Sequence, residues 1–219
     1  MSPRFPRVAL AAALTTACLT AEASVISFQT RASTSQYLGS AAAYQTTVEG
    51  LMGSLPGSGY CNSSPGAWSG LSNQSSCGGV AGDIAFDISA QFGVSGTLGG
   101  TWSFRIGPDF GRGGALFIDG VGVSFIDDDL WWSGNFANSG ELLVATVSLS
   151  TGNHTIEAYG FEGCCDGLQE AQFLAPGSTV WTVFSNNDGL DRISQVPEPG
   201  TLLLAGAALV GLTTRRRRT

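Results

Sequence analysis

The chain changes its hydrophobic rhythm near Gly82. From there on, apolar and polar positions alternate: "DIAFDIS" sets Ile84, Phe86 and Ile88 against Asp83, Ala85 and Asp87, and "TWSFRIG" sets Trp102, Phe104 and Ile106 against Thr101, Ser103 and Arg105. "GALFIDG", "GVSFID", "ELLVATVSLS", "HTIEAYGFE", "AQFLA" and "TVWTVFS" follow, separated by clusters of Gly, Asn, Asp and Pro. Period two sends successive side chains to opposite faces of a sheet. Six to nine short, evenly spaced strands with no long helical period predict an all-β fold, an antiparallel β-sandwich of jelly-roll-like form. Upstream, from Leu38 to Ser76, the pattern is irregular. A short helix is expected over Ala41 to Met52, and a loop region from about residue 53 to 82 is dense in Gly, Ser, Asn and Pro and bounded by Cys61 and Cys77. There is no internal repeat, which argues against a solenoid or propeller.

Two apolar stretches stand outside this alternation. "MSPRFPR" supplies Arg4 and Arg7, an apolar run follows from Val8 to Ala21, and small residues at Ala21 and Ala23 precede Ser24. That order predicts a signal peptide over residues 1–23, removed after Ala23. At the other end Pro197, Glu198 and Pro199 lead into an apolar helix over residues 201–214, closed by Arg215, Arg216, Arg217 and Arg218. A relaxed membrane-spanning helix needs roughly 20 apolar residues, so this one is short for a permanent anchor. The arginine block opposes translocation, and the segment reads as a single transmembrane helix that stops with its end in the cytoplasm. The region between, 24–195, is the expected exported domain.

Composition sharpens the picture. With 43% apolar residues, the 31 glycines belong to tight hairpins rather than to a disordered chain. There is no lysine, and between Ser24 and Gln195 four arginines face fifteen acidic residues, a net charge of −11. Such a surface repels phosphate backbones, which argues against nucleic acid as a partner, while cations and neutral sugars are compatible with it. Cys61, Cys77, Cys164 and Cys165 form an even set suited to an oxidising compartment. Neighbouring Cα atoms lie about 3.8 Å apart, below the usual disulfide span. That strain favours joining Cys164 and Cys165 each to a different partner among Cys61 and Cys77. The alternative closes Cys61 with Cys77 and leaves a vicinal Cys164–Cys165 ring whose flat sulfur surface is open to a ligand.

The order Pro-Glu-Pro, short apolar helix and terminal basic cluster resembles the PEP-CTERM sorting signal of bacterial exported proteins. The resemblance implies recognition by an exosortase, cleavage near Pro197–Pro199, and residence at the cell surface or in an exopolysaccharide matrix. "CCDG", Cys164 to Gly167, is similar to the motif that names a Cys-Cys-x-Gly subgroup of these proteins. "SGTLGGTWSFRIGPDFGRGGALFIDGVGV" and "LSTGNHTIEAYGFE" resemble the protective-antigen-type β-sandwich of bacterial toxins, glycosidases and yeast flocculins.

Sugar-binding members of that family hold a calcium ion with two consecutive aspartates ahead of the "LFIDG"-like strand. Here a single Asp109 stands in that loop, with the cationic Arg112 nearby, so the resemblance carries calcium only weakly. "IDDDLWW" is a second candidate. Asp127, Asp128 and Asp129 offer hard oxygen ligands, and Trp131 and Trp132 offer faces for a sugar ring. An acidic turn followed by a core tryptophan is the plainer account. Asp119-Gly120 and Asp166-Gly167 carry the Asp-Gly signature of hairpin turns, and His154, the single histidine, is expected at a turn. No nucleophile with a base and no metal motif is visible, so the expectation is a non-enzymatic surface protein that binds glycan. The alternative is a purely structural matrix component with no small ligand, held permanently by its C-terminal helix.

Overall fold

The computed structural model describes residues 23–190. The expected signal peptide, the Pro-Glu-Pro motif, the apolar helix and the arginine cluster lie outside the described residues. Among the described residues no helix is long and apolar enough to cross a membrane. The described residues form thirteen strands and two α-helices in the order β1 (Ser24–Ala32), α1 (Ala41–Met52), β2 (Asn62–Ser63), β3 (Ser69–Leu71), α2 (Asn73–Cys77), β4 (Ile84–Val94), β5 (Gly100–Gly107), β6 (Asp109–Phe110), β7 (Gly114–Ile118), β8 (Val121–Ile126), β9 (Leu130–Trp131), β10 (Leu143–Leu149), β11 (Gly152–Glu162), β12 (Gln169–Leu174) and β13 (Thr182–Val183).

Every strand pairing is antiparallel. One sheet runs β2-β1-β4-β11-β7-β8, the other runs β10-β5-β12-β13 with β3 also against β12, and β6 pairs with β9 as a separate ribbon. The inward residues of β4 and β5 are those the alternation marks: Ile84, Phe86, Ile88, Trp102, Phe104 and Ile106 are all buried in the main core. Between the sheets Phe92, Trp102, Phe104, Phe173 and Phe184 form a ring cluster with centroid separations from 4.9 to 6.2 Å. Offset and edge contacts of this kind add to the area the rings remove from water.

A second, smaller core explains why β11 reads as a nearly continuous buried run. Helix α1 lies on the outer face of the six-stranded sheet, where Tyr44 and Val48, one turn apart, pack on Ala85, Ala115, Phe117, Tyr159 and Phe161. The helix starts where Ser40 accepts a hydrogen bond from the Ala43 N–H, as an N-cap serine does. Its bounds match the sequence expectation. Strand β1 does not: it falls in a segment to which the alternation assigned no strand, and it pairs along its whole length with β4.

Two local readings need correction. The four cysteines pair as Cys61–Cys77 and Cys164–Cys165, so the vicinal ring forms and the irregular loop is closed on itself rather than tied to the last strands. Cys165 accommodates the ring with a backbone φ of +79°, in the left-handed region. Asp166 forms no hairpin turn. Its carboxylate accepts hydrogen bonds from the Asn73 and Gln74 N–H groups at the start of α2, satisfying donors that the helix itself leaves open. Asp119-Gly120 does form the two-residue turn between β7 and β8, with φ of +51° and +73°, the conformation Asp-Gly favours.

Candidate functional site

The pairing of β6 with β9 gathers the candidate residues at one end of the sandwich. Asp109 lies opposite Trp131 and Phe110 opposite Leu130, so the "GPDFGRGG" loop and the "IDDDLWW" segment, far apart in sequence, become neighbours. Phe110 and Leu130 are fully buried and anchor this ribbon in the main core. Beside it lies an open cleft of about 410 Å³ lined by Gln36, Tyr37, Gly111, Arg112, Asp129, Glu162, Gly163 and Cys164. Cys164 and Cys165 are both exposed, which places the vicinal ring at the cleft's rim.

The structure separates the two tryptophans. Trp131 is 68% exposed and Trp132 only 8%. Trp132 lies so close over Gly107 that a Cβ there would meet its indole at 2.3 Å, and it packs on the tilted Phe136 ring at 4.9 Å between centroids. It is a packing residue, and Trp131 alone presents a ring to solvent. The acidic triplet divides as well. Asp127, Asp128 and Asp129 are all exposed, Asp128 accepts from the Asp129 N–H at 2.8 Å, and of the three only Asp129 lines the cleft.

The unpredicted Glu162 lines the cleft, and Asp109 is buried in the adjoining ribbon. Asp109 is 5% exposed and accepts a hydrogen bond from the Gly167 N–H. Burial pushes its carboxyl up to about 7; the Gly167 donor opposes that shift, and Glu162, Asp166 and Asp129 add to it. Glu162, at the end of β11, uses both oxygens: Oε2 accepts from Gly111 N–H and Oε1 from Cys164 N–H, each at 2.6 Å. Its carboxyl is raised by burial, against these backbone donors. Glu162 thus ties the cleft floor to the disulfide ring. Arg112 closes one side, with its Nη2 3.1 Å from Asp83 Oδ1 and its Nη1 donating to the Ser35 carbonyl.

This donor set does not fit a calcium ion. Glu162 and Asp166 each spend both oxygens on backbone N–H groups and Asp109 spends Oδ2, a guanidinium shares the cleft, and among the described residues no three His, Cys, Asp or Glu side chains converge on one point. The cleft instead combines the Tyr37 phenol, which donates to the Gly111 carbonyl at 3.1 Å, the exposed Asp129 carboxylate and the exposed Cys164, while the exposed Trp131 indole stands on the neighbouring ribbon. Glu162 and Tyr37 carry no motif. Glu162 was visible only as the acidic end of "HTIEAYGFE", and Tyr37 sits in a featureless stretch.

Comparison with known proteins bears on the fold and on the C-terminal segment. Residues 195–218 match the PEP-CTERM protein-sorting motif, a signal of export and surface sorting. In three dimensions the chain is similar to a PA14 sugar-binding domain from an RTX adhesin, at 10% identity and a TM-score of 0.50, over 77% of this chain and 98% of that one. It is similar also to the PA14 domain of the MpAFP antifreeze protein, at 14% identity and a TM-score of 0.50, over 85% of this chain and all of that one. The fold is therefore that of a PA14-type β-sandwich, joined in one chain to a sorting signal. No curated protein matches the chain in sequence.

Proposed function

We propose that the protein is exported, handled by an exosortase through residues 195–218 while the apolar helix holds it briefly in the inner membrane, and displayed at the cell surface or in an exopolysaccharide matrix, where the cleft beside β6 and β9 binds a glycan. The sorting motif supports the first part. One observation carries the second: a two-stranded ribbon with a buried hydrophobic anchor holds Trp131 exposed, two residues from the cleft-lining Asp129. A pyranose has an apolar face that stacks on an indole and hydroxyls that bond to carboxylates and backbone groups, so this combination suits it. The likeness in fold to a sugar-binding domain of an RTX adhesin agrees with that reading.

A glycan array probed with and without calcium tests it. Binding that is equal with calcium and with chelator, and is lost in Trp131→Ala, is the expected result. Silence under both conditions favours a structural matrix role. Binding restored only by calcium revives the metal-dependent mode that the donor set argues against. The intact mass of the mature protein from its host tests the sorting step, with a C-terminus near Pro197 expected and a retained Arg215–Thr219 end pointing to a lasting anchor.

A further inference from the structure

The outer face of the five-stranded sheet carries an arginine in an unusual setting. Arg105 projects outward from the central strand β5, and its guanidinium carbon lies 4.1 Å from the centre of the Phe136 ring and 4.2 Å from that of Trp181. One edge of the guanidinium is fixed, with Nε donating to Gln172 Oε1 at 2.8 Å and Nη2 donating to the same oxygen. Nη1 has no hydrogen-bond partner among the described residues. The other two described arginines are engaged differently: Arg112 pairs with Asp83, and Arg31 is buried and donates to the Thr30, Met52 and Ser54 carbonyls and the Asn62 amide. Arg105 has no carboxylate within ion-pair distance among the described residues; the nearest influence is Glu170, which accepts from the Gln172 amide that holds the guanidinium and favours its charged form from further off.

A groove of about 330 Å³ runs alongside, lined by Ser103, Arg105, Val144, Thr146 and Trp181 with the backbone between them. Ser103 and Thr146 hydroxyls lie 3.1 Å apart across β5 and β10, and Val144 and Thr146 are exposed. The groove is therefore a planar cation with a fixed rim of hydroxyls, an indole and an aliphatic patch. Two stacked rings and one amide hold the guanidinium in place, so little side-chain freedom is left to lose when a ligand arrives. Its unfilled donors suit a carboxylate, for which the guanidinium's planar geometry is matched.

We propose that this groove binds the uronic-acid units of a carboxylated polysaccharide, at a site separate from the cleft beside β6 and β9. A peptide is disfavoured because β5 is paired on both sides, with β10 and with β12, so the strand that carries Arg105 offers no open backbone for strand addition. A sugar needs only the side-chain hydroxyls, the indole and the cation. The site does not depend on the cleft reading, since it shares no residue with it.

Calorimetric titration of the full chain with hexameric oligogalacturonate, oligoguluronate and oligoglucuronate, and with cellohexaose as the neutral control, decides the matter. At least one uronate oligomer is expected to bind ten-fold or more tightly than cellohexaose. Arg105→Gln and Trp181→Ala are each expected to weaken it at least ten-fold, Arg105→Lys is expected to recover only part, and Trp131→Ala is expected to leave it unchanged. Three results would overturn the proposal: no binding by any uronate oligomer, equal affinity for cellohexaose, or uronate binding that survives Arg105→Gln. Thermal melts of the same variants confirm that each is folded. A lower melting temperature in Arg105→Gln with no uronate bound by the parent would mark Arg105 as a clamp for the Phe136 and Trp181 loops alone.

Discussion

Asp119 and His154 lock two turns together. Asp119 Oδ2 lies 2.7 Å from His154 Nδ1, its Oδ1 accepts the Thr155 N–H at 2.9 Å, and His154 Nε2 lies 2.8 Å from the Ser150 carbonyl. The turn joining β7 to β8 is thereby fastened to the turn joining β10 to β11. Asp119→Gly keeps a backbone that tolerates positive φ while deleting both acceptors. It is expected to cost about 1–3 kcal/mol, the penalty for stranding a mostly buried donor, or roughly 2–4 °C of melting temperature per kcal/mol in a domain of this size. Thermal unfolding checks it, and an unchanged midpoint would show that the pair is ornamental.

The neighbouring tryptophans should respond in opposite ways. Trp132→Ala leaves a cavity over Gly107 and is expected to destabilise by about 3–5 kcal/mol. Trp131→Ala removes an exposed ring and is expected to stay within about 0.5 kcal/mol of the parent, while abolishing cleft binding. Urea denaturation alongside glycan binding separates the two roles.

Stability should fall as pH rises from about 4 to about 7. Asp87, under α1, is pushed up to about 7 by burial, with Glu157 and Glu49 adding to the effect and Arg31 opposing it; Asp109 is pushed up to about 7 as well. The unfolded chain releases these protons near pH 4, so between about pH 4 and 7 the folded state binds more protons than the unfolded one. The stabilisation is complete at the acid end of that window and is gone above it. Melting temperatures from pH 4.5 to 8 should decline, and Asp87→Asn should flatten the decline by raising the midpoint at pH 8 and leaving it almost unchanged near pH 4.5. A midpoint that rises with pH in the parent would refute the assignment.

The two disulfides should differ in what they contribute. Cys61–Cys77 closes a segment with a sequence separation of 16, worth about 3 kcal/mol in the chain-entropy account, whereas the vicinal pair closes almost no chain. The double replacement Cys61→Ser with Cys77→Ser is expected to lower stability by about that amount. Cys164→Ser with Cys165→Ser should lower it much less and act mainly on ligand binding at the rim. Non-reducing peptide maps should show a 61–77 link and a separate fragment holding 164 and 165.

Local pattern carried much of the sandwich. Ile84, Phe86 and Ile88, or Trp102, Phe104 and Ile106, need only their own alternation to declare an inward face, and Ser40 with Tyr44 and Val48 marks α1 in the same local way. Strand β1 escaped because its inward side includes Ser24 and Thr30 as well as Ile26 and Phe28, which blurs the hydrophobic contrast. The site was legible only in pieces. Asp109 and Trp131 each stood out, but their adjacency is a product of long-range pairing. Glu162 gains its importance only from the two amides that the fold brings to it. The cysteine pairing went against geometric preference because a left-handed backbone at Cys165 lets neighbours join, and Asp166 followed α2 rather than its Asp-Gly signature.

The layer that α1 adds has a kinetic side. Beneath it, β4, β11 and β7 are covered on both faces, by the helix on one and by the opposing sheet on the other. Amide protons there can meet solvent only when the whole domain opens, so hydrogen exchange should be slowest in these three strands and track global unfolding. Because β11 ends at Glu162 and β7 begins just after Gly113, the loops around the cleft are rooted in the part of the molecule that yields last. They can adjust at their tips without loosening the scaffold that aims them.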